Sequence, residues 1–160
     1  MMLSLLQPQE LGTRIYWGRK MSIETSPRSG PWTIYRGEDI VDVRTEQYRI
    51  HQNGGGLVAL TAHVAASVYV APKAIIKDHA IVVGSVRLFD RAVIEDSAVV
   101  GDACTLRGDS SVGGEAILRG SVQLNHEARV DGNARLSGGL QLQYFARVSQ
   151  GTLAGGMTVQ

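Results

Sequence analysis

Stepping by six from Val64, fifteen consecutive sites through Val148 are all Val, Ile or Leu. A second column lies four residues after each of these, from Val68 to Thr152. Its only member outside Ala, Val, Ser, Thr and Cys is Leu140, which is still apolar. A helix repeats its apolar positions at intervals of three and four residues, and a hairpin strand alternates by two. Neither accounts for a strict six kept for about ninety residues. The period calls for a very short strand followed by a tight bend: the aliphatic residue enters a narrow core, and the small residue two positions before it fits where the chain turns.

The repeat over residues 62–154 resembles the hexapeptide-repeat, left-handed β-helix family, in the uninterrupted form found in bacterial and phage proteins. The resemblance implies three hexads per triangular coil. The expected fold is therefore all-β, a left-handed parallel β-helix of about five coils stacked at ~4.8 Å, with a small N-terminal β cap. Fold and function are separate inferences, because one fold hosts many activities.

Residues 1–55 do not share the period, which divides the chain into an N-terminal β segment and a repeat region at 56–160. "TRIYWGRKMSIE" and "PWTIYRGEDIVDV" alternate apolar and polar residues around "SPRSGP", the pattern of a short hairpin or small sheet. "HQNGGGLVAL" reads as the join. The end coils of a β-helix expose strand edges, so the N-terminal segment is expected to cap the stack. The tail "SQGTLAGGMTVQ" has no charged residue and follows the hexad only through Thr152 and Ala154. It is expected to leave the last coil uncovered and open to edge pairing with another chain.

Sixteen Lys and Arg against fifteen Asp and Glu leave a net charge of +1, so no global basic field points to nucleic acid. A single cysteine, Cys104, excludes an internal disulfide and a cysteine-based zinc site, and is expected to be a buried thiol. "MMLSLLQ" lacks the basic stretch and cleavage site of a signal peptide, and no apolar run reaches about 18 residues. The expectation is a cytoplasmic protein with no membrane contact.

Familiar members of the resembled family are trimeric acyltransferases that use acyl-CoA. The resemblance implies for them a histidine general base, usually on a loop extruded from a coil. Here no hexad is interrupted between 62 and 152; His79 and His126 fall at expected corners and are the candidates for such a base. The γ-type carbonic anhydrases share the fold and bind zinc through three histidines. This chain has His51, His63, His79 and His126, none closer than twelve residues, and no metal site is expected. Asp90, Asp96, Asp102, Asp109 and Glu115 fall mostly at corners, where turn geometry itself favours such residues. The glycine runs lack the ending of a phosphate loop, so no nucleotide motif is assigned.

Alternation across each short strand sorts the residues flanking the core aliphatics into three outward faces. On the first, Ile81, Val83, Val99 and Ile117 form an apolar stripe that another subunit or the N-terminal segment should cover. On the second, Gln123, Asn125, Gln141 and Gln143 stand in rows suited to amide ladders along the axis. The favoured reading is a non-enzymatic, self-associating β-helix without a cofactor, binding a protein partner or small ligand through its faces or subunit boundaries. A trimer is expected over a dimer joined at the C-terminal ends. The alternative is an acyl-CoA-dependent acyltransferase with its site between subunits.

Overall fold

A computed structural model describes residues 47–160 and, ahead of them, the backbone of four strands. These four, Arg14–Tyr16, Ser22–Ile23, Pro31–Arg36 and Asp39–Arg44, make one sheet. Its hairpin pairs Pro31–Arg36 antiparallel with Asp39–Arg44, and Arg14–Tyr16 runs parallel to Thr33–Tyr35. The chain divides into two compact units, Met1–Arg49 and Ile50–Gln160. The expectation that the first caps the second lies outside the described residues.

The second unit is a parallel β-helix of about six turns. Its first face stacks His63–Val64, Ile81–Val82, Val99–Val100, Ile117–Gly120, Arg135–Gly138 and Thr152–Ala154. The second stacks Tyr69–Val70, Arg87–Leu88, Thr105–Leu106, Gln123–Leu124, Gln141–Leu142 and Thr158–Val159. The third runs from Leu57–Ala59 through Ile75–Ile76, Val93–Ile94, Ser111–Val112 and Arg129–Val130 to Arg147–Val148. The strands of neighbouring coils pair in parallel. Arg87 N–H donates to the Cys104 carbonyl at 3.0 Å, for example, and Thr105 N–H to that of Val122 at 2.9 Å. Among the described residues there is no helix, and hence none long and apolar enough to cross a membrane.

The aliphatic column forms the core: Leu88, Leu106, Leu124 and Leu142 sit above one another behind the second face, all at 0% exposure. The small-residue column resolves into three vertical stacks. Ala62, Ala80, Ala98, Ala116 and Ala134 precede the first face, and Ala74, Ala92, Ser110, Ala128 and Ala146 precede the third. The stack before the second face is bulkier, with Val68, Val86, Cys104, Val122 and Leu140, all buried. Leu140 departs from the small-residue rule because it extends this wider stack.

Two features go beyond the repeat as counted in the sequence. Val58 pairs with Ile76 and is fully buried, so the period begins one hexad before Val64, with Ala62 as its small partner. The tail does not continue through Thr152 and Ala154 in their expected places. Leu153 pairs with Leu136 and Val159 with Leu142, seventeen residues apart in place of eighteen. Leu153, expected to point outward, therefore takes a core position. One residue is dropped in the turn containing Gly151, where φ is 88°. The slip puts a leucine, rather than Ala154, on the end of the core, where the larger side chain removes more apolar surface from water.

From Asp78 onward each corner places one residue in the left-handed backbone region, which glycine tolerates best and Asp or Asn next best. Asp78, Asp90, Asp96 and Asp102 hold such positions with φ between 54° and 60°. Their carboxylates do a second job, accepting the backbone N–H one coil further along: Asp96 from Gly114 at 2.8 Å, Asp102 from Gly120 at 2.8 Å and Asp90 from Gly108 at 3.0 Å. A charge-assisted bond of this kind ties corner to corner along the axis.

Candidate functional site

The outward positions and the corners carry opposite charge. From Leu57 onward the positions flanking the core aliphatics hold Lys77, Arg87, Arg107, Arg119, Arg129, Arg135 and Arg147 against only Glu95 and Asp131. The corners hold Asp78, Asp90, Asp96, Asp102, Asp109, Glu115 and Glu127 against Lys73 and Arg91. A net charge near zero thus conceals cationic faces set between acidic edges. Charge pairs close between neighbouring coils, Lys77 with Glu95 at 2.8 Å on the third face and Arg91 with Asp109 at a corner.

On the first face the register places Ile81 between His63 and Val99, and Ile117 between Val99 and Arg135. Ile81 and Val83 are 42% and 44% exposed, and Val99 and Ile117 are half-buried. The stripe is therefore one contiguous apolar patch, with exposed His63 at one end and exposed Arg119 and Arg135 at the other.

The second face carries a cluster that spacing alone does not single out. The Tyr69 and Phe89 rings lie 5.4 Å apart, tilted by 40°. The Arg107 guanidinium carbon sits 5.2 Å from the Phe89 centroid, within cation–π range. Phe89 is two positions past Arg87, which directly faces Tyr69, so the contact is diagonal between coils. The eighteen-residue register was the signal that could have found it. Gln123 faces Gln141 as expected, but the amide bond that forms runs along one strand, from Gln143 Nε2 to Gln141 Oε1 at 3.3 Å. No side-chain amide bond between coils forms on this face among the described residues.

The histidines are scattered. His79 is exposed at the corner between the third and first faces, beside Asp78. His126 is at the corner after the second face with φ 63°, several coils away. Its ring stacks on Tyr144 at 4.8 Å, and its Nδ1 accepts the Tyr144 N–H at 3.4 Å, copying the corner aspartates. The structure does not bring His79 and His126 together. His51 is buried in the loop before the first full coil, where Nε2 lies 2.9 Å from the Val68 carbonyl and Nδ1 has no partner. His63 lies on the first face. Among the described residues no three His, Cys, Asp or Glu side chains are grouped to hold a metal.

Cys104 lies in the core with Sγ 3.7 Å from the Gly120 carbonyl oxygen. Burial pushes its thiol up to about 11, so little thiolate forms near neutral pH. Ser110 is likewise buried, with an unpaired Oγ inside an alanine stack. Comparison with protein-family models, with curated proteins and with solved structures finds no match to this chain.

Proposed function

We propose that this chain is a non-enzymatic β-helix of the left-handed hexapeptide-repeat kind, which associates with copies of itself through its first face and binds a partner through its other outward surfaces. The observation that carries the reading is the alignment of Ile81, Val83, Val99 and Ile117 into one exposed or half-exposed apolar strip on a flat sheet. Contiguous apolar surface of this sort marks a contact site, and a second copy of the chain can supply the same strip in return. Closed symmetry is the usual outcome of such contacts, with a trimer ahead of a dimer. The acyl-CoA-dependent alternative draws no support from the geometry at either candidate base: the His126 ring is engaged with Tyr144, and the His79 imidazole makes no hydrogen bond among the described residues.

Sedimentation velocity on the wild type and on the Val99→Lys, Ile117→Lys double variant tests this. An oligomeric wild type and a folded, monomeric variant are expected. A wild type that sediments as a monomer at micromolar concentration overturns the self-association.

A further inference from the structure

The second face, like the first, carries no carboxylate at its outward positions, but where the first has its apolar stripe the second has the amides Gln123, Asn125, Gln141 and Gln143. Its outward columns run from Tyr69 and Ala71 to Thr158 and Gln160, with Arg87 and Arg107 as their only charges. Both arginines are exposed, and neither has an ion-pair partner among the described residues. Beyond them the face is made of side-chain amides. Gln123 and Asn125 stand directly against Gln141 and Gln143 of the next coil, at the spacing of neighbouring strands, ~4.8 Å. The amides of Gln123 and Asn125 make no hydrogen bond within the described residues. The surface thus offers a flat row of paired donors and acceptors, an aromatic pair and two forked cations, all in line with the solenoid axis.

We infer that this face binds an acidic polysaccharide laid along the axis. Each planar amide offers both donors and an acceptor, which suits the hydroxyl groups of a sugar chain. The Tyr69 and Phe89 rings offer apolar surface to the C–H faces of sugar rings. Arg87 and Arg107 suit a carboxylate or sulfate, which guanidinium groups hold in a two-pronged geometry. Single-stranded nucleic acid fits less well. It needs successive aromatic faces on which to stack bases, whereas the rings here lie at one end of the face and the coils from Gln123 to Gln143 carry amides alone. This inference deepens the binding half of the reading above; the self-association half concerns the first face and is measured separately.

The test is isothermal titration of the full chain with hyaluronan, polygalacturonate and alginate, with neutral dextran and single-stranded oligothymidylate as comparators. Saturable binding of at least one acidic polysaccharide is expected, weakening as salt is raised. The Arg87→Gln, Arg107→Gln double variant should lose about tenfold or more in affinity, as expected for removing charge-assisted contacts. Phe89→Ala should lose less, and Arg129→Gln, Arg147→Gln on the third face should leave binding unchanged. Melting curves confirm that each variant is folded. Binding of none of the three acidic chains overturns the inference. So does dextran bound as tightly, oligothymidylate bound more tightly, or an equal loss in the third-face variant. Sedimentation of the same samples reports the first face on its own, so failure of one reading leaves the other standing.

Discussion

Leu106 and Leu153 are both aliphatic residues at core positions of the same solenoid, yet they have different surroundings. Leu106 has Leu88 on one side and Leu124 on the other and is fully buried. Leu153 pairs with Leu136 on one side only, and it is half-buried. Val159 behaves as Leu153 does, and Met157, at the end of the bulky stack, is 46% exposed. Val64, at the opposite end of the first face, pairs only with Val82 and is also half-buried. The hexad names the core residues, but their burial comes from the coils on either side, as in other repeat folds.

That contrast can be broken most severely in the middle. Leu106→Asp would put a charge with no partner into a dry column, and it should abolish cooperative folding. Circular dichroism melting reads this, and an unchanged midpoint would mean that the register given for Leu106 is wrong. A gentler pair sharpens the comparison. Leu124→Ala should cost about 2–5 kcal/mol in urea denaturation, as for other buried leucines, and Leu153→Ala about 1 kcal/mol or less. Equal losses at the two sites would show that the C-terminal turn is covered in solution.

A second contrast of the same kind lies at the corners. Gly120 has φ 85°, and a Cβ there would stand 2.8 Å from the Gly138 nitrogen one coil up. Gly151 has φ 88° but would meet nothing within 4 Å. Gly151→Ala should therefore cost only the backbone strain, about 1–2 kcal/mol, and Gly120→Ala should cost more by the price of the close approach. Matching midpoints for the two variants would show that the corners do not pack as closely along the axis as Gly120 and Gly138 do here.

Much of the fold was legible in spacing. A column of Val, Ile and Leu at every sixth residue leaves each aliphatic side chain one place to go, and alternation then turns its neighbours outward; the apolar stripe from Ile81 to Ile117 followed from that alone. The candidate bases were legible as corner residues, but not as separate ones. Whether His79 and His126 meet depends on which corner each occupies, and that depends on closing the coil. The Phe89 cluster is not legible in local spacing for a similar reason, because its partners, Tyr69 and Arg107, are twenty and eighteen residues away in sequence.

Local pattern was therefore enough for what points in, what points out and where the chain must turn, since these depend on residues within one hexad. It could not say which side chains touch between coils, nor that Asp96 and Asp102 accept bonds from the next corner, because those partners are eighteen residues distant. Nor could it foresee the slip at Gly151. There the six-residue count favours Ala154 for the core, while stacking on Leu136 favours Leu153. The greater apolar area removed from water decides for leucine, and that comparison exists only once the coil beneath it has formed.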